Sequence, residues 1–184
     1  NVLDTPGYAD FIGEVTSAMA AADLGLITVS AADGVEVGTE IAWQQCESWG
    51  IPRAVLITKL DRDNTNFYET LEAVRDRLGK RCLAIQLPKG APMEGVINLM
   101  DPGVEGEGSR VGEFREKVVE AAAESDDALT EKYLEEGELS DEEIAAGLRS
   151  GIAGRTVFPV LCGDASKAIG IDLFLDFVAG DVPS

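Results

Sequence analysis

Three short polar segments each follow a run of apolar residues, and their residue types suit the binding of a phosphorylated ligand. They are "DTPG" at 4–7, "TKLD" at 58–61 and "GDASK" at 163–167. Ligands of open α/β sheets bind at the carboxyl ends of the strands, where three such segments would meet. We therefore predict that the three segments contribute to one site.

The first segment has the residue types of a metal and phosphate site. Asp4 can hold a Mg²⁺-bound water, and the backbone N–H of Gly7 can donate to a terminal phosphate. An ordinary strand-to-helix turn built by Pro6 and Gly7 explains the same residues about equally well. Taken alone, this segment leaves both interpretations open.

The second segment has the residue types of a guanine pocket. The Asp61 carboxylate can accept hydrogen bonds from the ring N–H and the exocyclic amine of guanine, an edge that adenine lacks. Lys59 can lay its aliphatic stem along the base or ribose, and the Thr58 hydroxyl can tie neighbouring loops together. For this tetrapeptide in isolation, a strand that ends in solvated Lys59 and Asp61 is the simpler interpretation.

The third segment can complete such a pocket. Ala165 is a small residue whose backbone N–H can reach a base oxygen, and Lys167 can pack alongside the base. An ordinary loop before a helix is the simpler interpretation of this segment alone. The three segments together, in this order and each at a strand end, favour a nucleotide site.

Apolar periodicity predicts the elements that position these segments. A first strand is predicted over "NVL", and further strands are predicted at 24–31, 53–60, 81–88 and 156–163. Helical patterns lie between them and end at glycines, namely Gly50, Gly79 and Gly180. This alternation predicts an α/β fold with a mostly parallel sheet and flanking helices.

The alternation is interrupted between residues 89 and 150. A Gly-, Pro- and acid-rich stretch predicts loops or a small hairpin, and two or three acidic helices are predicted after it. Ser140 and Glu143 form the S-x-x-E pattern of a capping box at the start of the last helix. We predict a core of residues 1–88 and 151–184 with an inserted acidic helical subdomain at 89–150.

Composition excludes several functions. The chain has 15 basic and 34 acidic residues, a net charge of −19, which argues against general nucleic-acid binding. Histidine is absent, which removes Ser-His triads, imidazole metal ligands and a histidine general base. With no apolar run near the roughly 18 residues of a membrane span, no secretory signal and three widely spaced cysteines, we expect a cytoplasmic protein with reduced thiols.

The ordered segments resemble the third, fourth and fifth sequence motifs of a GTPase G domain. The chain is similar to translational GTPases of the elongation factor G family. The resemblance rests on "DTPGYADF", "AADGVEVGTEIAWQQCESWGIPRAVLITKLDR", "NFYETLEAVRDRLG", "LTEKYLEEGELSDEEI" and "PVLCGDASKAIGIDLFLDFV". It covers nearly the whole chain and is weakest across 93–112. It implies a P-loop-GTPase-type fold, binding of GTP or GDP with Mg²⁺, and a ribosomal partnership through the sarcin–ricin loop and the stalk protein.

The resemblance also implies roles for individual residues. Asp4 would serve Mg²⁺ through a water, Gly7 would serve the γ-phosphate, and Tyr8 would occupy the site that positions the attacking water. The residues implied in the base pocket are Thr58, Lys59, Asp61, Asp164, Ala165 and Lys167.

The sequence departs from the family pattern in four ways. The printed sequence contains no G-x-x-x-x-G-K-[ST] loop and no switch I threonine before "DTPG". We therefore expect part of a G domain that binds phosphate poorly and does not hydrolyse GTP alone, whereas the parent protein would be a GTPase. Tyr8 stands where the family usually has histidine. In this respect the chain resembles the elongation-factor-G-like paralogues, which implies slow or differently triggered hydrolysis. Thr58 replaces asparagine, and Asp164 replaces serine.

A second function from another class is consistent with the same sequence. The chain would then be a nonenzymatic interaction module whose acidic helices bind a partner, with a vestigial nucleotide site. Tyr8 and Asp164 are the residues that favour this alternative.

Overall fold

The computed structural model describes residues 1–7, 9–104, 108–180 and 182. The strands are β1 (Gly25–Ser30), β2 (Arg53–Thr58), β3 (Cys82–Ala84), β4 (Gln86–Lys89), β5 (Gly95–Asn98) and β6 (Phe158–Cys162). The helices are α1 (Ile12–Met19), α2 (Val37–Trp49), α3 (Phe67–Leu78), α4 (Ser109–Ala123), α5 (Asp127–Glu136), α6 (Asp141–Ala153) and α7 (Ile171–Gly180). None of the described helices is long and apolar enough to cross a membrane.

The central sheet has four parallel strands in the order β1-β2-β6-β3, and helices flank it. Ser30 pairs with Thr58 at the ends of β1 and β2, and Ile57 of β2 pairs with Cys162 at the end of β6. The carboxyl ends of these three strands therefore meet at one edge of the sheet. The predicted α/β fold with a parallel sheet is confirmed.

Helix α3 shows how the sequence pattern produces the packing. Its apolar residues recur every three or four positions and share one buried face, namely Phe67, Leu71, Val74 and Leu78. The Asn66 side chain caps the helix by accepting the backbone N–H groups of Tyr68 and Glu69. The apolar periodicity and the cap therefore specify the same helix.

The predicted strand over "NVL" is wrong. Residues 1–7 have no regular secondary structure, and the side chains of Val2 and Leu3 are 80% and 57% exposed. A strand needs a neighbour to pair its backbone groups, and none of the described strands lies alongside this segment. Apolar composition therefore does not produce a strand here.

The predicted strand at 81–88 is two strands in two sheets. The backbone N–H of Ile85 donates to Val160 O at 3.0 Å, whereas Ile85 O accepts from the N–H of Leu99 at 2.9 Å. The chain thus leaves the parallel sheet at Ile85, and β4 pairs antiparallel with β5 as a hairpin. The residues on both sides of Ile85 are buried, so burial alone does not reveal the break.

The acidic stretch forms α4, α5 and α6. Ser140 and Glu143 make both bonds of the predicted capping box, since Glu143 N–H donates to Ser140 Oγ and Ser140 N–H donates to Glu143 Oε2. Val118 of α4 and Leu148 of α6 belong to the same buried cluster as Val160 in the sheet. The division at 89 and 150 stays a prediction, and both bounds fall inside β4 or α6.

The three cysteines are buried, free thiols in the core. Burial raises the pKa of Cys46 and Cys162, and it raises the pKa of Cys82 to about 12, because it penalises the thiolate. The thiols are therefore neutral and pack as small hydrophobic groups, as the sequence predicts.

Candidate functional site at the carboxyl edge of the sheet

The loop that begins at Thr58 is tied to the end of β1. The Thr58 hydroxyl donates to Val29 O at 3.4 Å, and the backbone N–H of Ala31 donates to Thr58 O at 2.9 Å. These bonds continue the β1–β2 register past the strands, so the loop starts from a fixed position.

Lys59 leaves β2 in an unusual backbone conformation and is ion-paired. Its φ of 59° lies in the left-handed region, which non-glycine residues seldom adopt. Its Nζ lies 3.3 Å from Oδ2 of Asp33, in the turn after β1. The two side chains are 43% and 52% exposed, so the pair lies at the surface of the site.

Asp33 lies outside the three predicted segments and was not predicted as a site residue. Ser30 and Lys59 lower the pKa of Asp33, with the Ser30 hydroxyl as the larger cause. That hydroxyl is buried and lies near the carboxyl, but its geometry falls short of a full hydrogen bond. An acidic residue just past a strand that neighbours "TKLD" is the only sequence signal that could have indicated Asp33.

Asp61 lies in the loop after β2 and is half-buried. Buried Leu60 anchors the loop just before it, and the N–H of Arg62 donates to Lys59 O at 3.3 Å to close the turn. Across the described residues, no hydrogen bond or ion pair engages the half-buried Asp61 side chain. Its two oxygens are therefore available to accept from a ligand.

The "GDASK" loop lies beside this turn. The N–H of Gly163 donates to Ile57 O at 3.0 Å, so the loop leaves β6 next to β2. Asp164 and Ile169 close the loop by exchanging two backbone hydrogen bonds of 2.9 Å. Ala165 and Lys167 stand exposed at its tip. The structure thus brings the predicted base-pocket loops together at one edge.

Asp164 shapes the loop from within. Its Oδ1 accepts the backbone N–H and the hydroxyl of Ser166 at 2.8 and 2.7 Å, while the residue is only 2% exposed. The Ser166 N–H is therefore occupied, whereas the Ala165 N–H has no partner within the described part of the chain. This leaves the Ala165 N–H available to donate to a ligand.

Two buried polar atoms at this edge have no hydrogen-bond partner among the residues that the structure describes. They are Ser30 Oγ, at the end of β1, and Asp164 Oδ2, in the loop after β6. Buried polar atoms are normally hydrogen-bonded, so the unpaired Asp164 Oδ2 at this edge of the sheet points to a ligand or water, whereas Ser30 Oγ lies near the Asp33 carboxyl.

The pKa of Asp164 predicts a pH-dependent stability effect. Burial opposes ionisation, but the two hydrogen bonds from Ser166, together with the nearby backbone N–H and charge of Lys167, outweigh it and hold the pKa of Asp164 below its usual value. A lowered pKa stabilises the fold above the unfolded-state value, and that contribution is lost as the pH falls through the folded-state value. We expect Asp164→Ala to cost about 1–2 kcal/mol at pH 7 and less at pH 3, measured by urea unfolding.

Asp164→Asn is the matched control for this prediction. Asparagine keeps an oxygen for the Ser166 N–H and hydroxyl, so this variant should lose less stability than Asp164→Ala at pH 7. An equal loss for Asp164→Ala at both pH values would contradict the role of the ionised carboxylate.

The "DTPG" segment lies near the start of α2. A Cβ at Gly38 would lie 3.7 Å from Gly7 O, which places the two backbones side by side. Asp4 is exposed, and within the described ranges no hydrogen bond or ion pair joins this segment to either base-pocket loop. Tyr8, the predicted water-positioning residue, lies outside the described residues.

A Mg²⁺ ion would find few protein ligands here. The described residues contain no group of three or more His, Cys, Asp or Glu side chains that could hold a metal. Mg²⁺ usually keeps several waters and binds one or two carboxylates plus substrate phosphates. A single carboxylate such as Asp4 fits that mode of binding.

The fold and this edge define an α/β nucleotide-binding domain, and comparison with known proteins gives its family. The chain matches the elongation factor Tu GTP binding domain across residues 1–184 and belongs to that family. The chain is therefore a GTP-binding domain of the translation-factor type, which confirms the class that the resemblance implies.

A solved structure gives the same fold. A crystal structure of a protein from Thermus thermophilus superposes with a TM-score of 0.88 at 37% sequence identity. The match covers 99% of this chain and 30% of that chain, so the chain spans about a third of the length of this relative. The fold is that of a GTPase G domain.

Proposed function

We propose that this chain is the guanine-nucleotide-binding part of a ribosome-associated translational GTPase resembling elongation factor G. Within that group, Tyr8 favours the elongation-factor-G-like paralogues. The whole protein would couple GTP hydrolysis to translation elongation. The carrying observation is that the half-buried Asp61 carboxylate and the N–H of Ala165 lie on adjoining loops, and that neither has a partner among the described residues.

Base recognition follows from these two groups. Asp61 accepts two hydrogen bonds from guanine, and the Ala165 N–H donates to its carbonyl oxygen. Adenine has an amine where guanine has that carbonyl, so it leaves both protein groups unpaired at a cost in affinity. The stems of Lys59 and Lys167 cover the faces of the base, while Thr58 braces the pocket through Val29. Asp164 positions the Ala165 N–H by occupying that of Ser166.

The "DTPG" segment and Tyr8 would act on the phosphates. Asp4 would hold Mg²⁺ through a water, the Gly7 N–H would donate to the γ-phosphate, and the Tyr8 hydroxyl would orient the attacking water. When bound, Mg²⁺ neutralises charge that develops on the phosphate oxygens. Tyrosine cannot supply a cationic imidazole, so we expect slower hydrolysis than with histidine in the whole protein.

Two ribosomal contacts complete the proposal. The sarcin–ricin loop would engage near Tyr8, and the stalk protein would dock on the acidic helices of the subdomain proposed at 89–150. Support for the second contact comes from α5, which buries none of its residues and exposes Leu134. An exposed leucine on a charged helix suits contact with another protein.

The test is an NMR titration of the ¹⁵N-labelled chain with GDP in Mg²⁺, with ADP as the matched nucleotide. NMR detects weak binding, which is the regime we expect for this chain. GDP should shift the amide signals of 58–61 and 163–167, and ADP should not, because only guanine pairs with Asp61 and Ala165.

Equal responses to GDP and ADP, or none at millimolar concentrations, would contradict a guanine pocket. Equal responses would favour the alternative, a nonenzymatic acidic module with a vestigial nucleotide site.

A further inference from the structure

We propose that Asp33 is a positioning residue for the base pocket, which holds the amine of Lys59 so that the lysine stem is ordered before the nucleotide binds. This inference rests on the role of Lys59 in the proposed function. Asp33 lies outside the three segments that indicate the nucleotide site.

The contact joins two loops that are far apart in sequence. Lys59 Nζ donates to Asp33 Oδ2 at 3.3 Å across 26 positions of the chain. Lys59 leaves β2 with a φ of 59°, so its backbone direction is set by the turn and not by the strand. The amine at the far end of the side chain is then fixed by Asp33.

Two backbone hydrogen bonds close the turn that carries Asp33. The N–H groups of Asp33 and Gly34 both donate to Ser30 O, at 3.2 and 2.8 Å, and Gly34 adopts a φ of 75°. Glycine is suited to that left-handed conformation. Asp33 is therefore held at a fixed distance from the end of β1.

Contacts on both sides fix this turn relative to Lys59. The N–H of Ala31 donates to Thr58 O, directly before the lysine. On the other side Val35 is buried, and its carbonyl accepts from Nη1 of Arg77 at 2.6 Å. The turn that carries the carboxylate is therefore hydrogen-bonded both to the residue before Lys59 and to helix α3.

The consequence for binding is entropic. A free lysine side chain has many rotamers, and packing its stem along a base removes that freedom. A carboxylate that holds the amine removes part of the freedom beforehand, so the nucleotide orders less of the side chain when it binds. The charge of Arg62 also lowers the pKa of Asp33, but it does not replace the direct contact of Lys59.

The test compares Asp33→Asn with Asp23→Asn in the full chain. Asp23 is an exposed residue just before β1, so its replacement makes the same charge change at the opposite end of that strand. Two readouts are taken: ¹³C relaxation of the Lys59 Cε methylene without ligand, and the Kd for GDP from NMR titration. Asp33→Glu serves as the conservative variant.

We expect greater Lys59 Cε mobility and GDP binding weakened about three- to fivefold in Asp33→Asn, in line with the loss of one exposed ion pair. Asp23→Asn should change neither, and Asp33→Glu should recover part of both. Unchanged Lys59 mobility in Asp33→Asn would overturn the inference, and so would raised mobility with unchanged GDP affinity.

Failure of the proposed function has a different signature. A wild-type chain that shows no guanine selectivity would refute the base pocket, and with it the effect of Asp33 on binding. The Lys59 relaxation data would still report separately whether Asp33 orders the lysine.

Discussion

Replacing Asp61 with asparagine is expected to turn the preference of the pocket from guanine to xanthine nucleotides. The Asp61 carboxylate only accepts, which matches the two N–H donors of guanine. Asparagine keeps one acceptor and gains a donor, which matches xanthine because xanthine has a carbonyl where guanine has the amine. Loss of a hydrogen bond to a charged group, with a clash of two donors, should weaken GDP binding on the order of a hundredfold.

The measurement is a pair of NMR titrations of each variant, with GDP and with xanthosine diphosphate. Asp63→Asn is the matched control, since Asp63 lies in the same loop and is exposed. This control should bind GDP as the wild type does. An Asp61→Asn variant with unchanged GDP affinity would show that Asp61 does not contact the base.

Replacing Gly147 with alanine is expected to have the largest effect on stability. Gly147 lies where α6 crosses α4, and a Cβ there would lie 2.9 Å from the backbone carbon of Ala122 and 3.0 Å from Cδ1 of Leu129. The carbonyl oxygen of Ala122 would be closer still. Because the obstruction includes helix backbone, it cannot rotate away, and the helices must separate. We expect a loss of about 1–3 kcal/mol, and more for Gly147→Val.

Urea unfolding of Gly147→Ala and Gly13→Ala checks this prediction. Gly13 lies in α1, and a Cβ there would meet nothing within 4 Å. Alanine at this position should therefore stabilise the chain by up to about 1 kcal/mol, through helix propensity and a less flexible unfolded state. Similar midpoints for the two variants would mean that α4 and α6 do not pack as closely as described.

Local sequence patterns predicted the features that depend only on residues close together in the chain. The face of α3 and the capping box of α6 follow from residues three or four positions apart, so both could be read directly. The break at Ile85 could not, because its two hydrogen bonds lead to Val160 and Leu99, in different sheets. The apolar residues of "NVL" also needed a partner strand, which composition does not supply.

In the candidate site, too, features set by local sequence could be predicted and features set by distant contacts could not. The strand-end segments predicted that Asp61 and Ala165 belong to neighbouring loops, because the carboxyl ends of parallel strands share an edge. Asp164 was predicted as a pocket residue, but its role inside the loop depends on hydrogen bonds to Ser166 that the sequence does not show. Asp33 was missed because its contact with Lys59 depends on the turn after β1.

Helix α5 differs from its neighbours α4 and α6 in how little of it is buried. Those two helices bury residues with the sheet, so most changes on their inner faces cost stability. Helix α5 buries none of its ten residues, although its Asp126 cap and the Lys132–Glu143 ion pair hold it in place. Its outer surface can therefore accumulate substitutions at little cost to folding, so this helix can diverge in sequence faster than the two helices beside it.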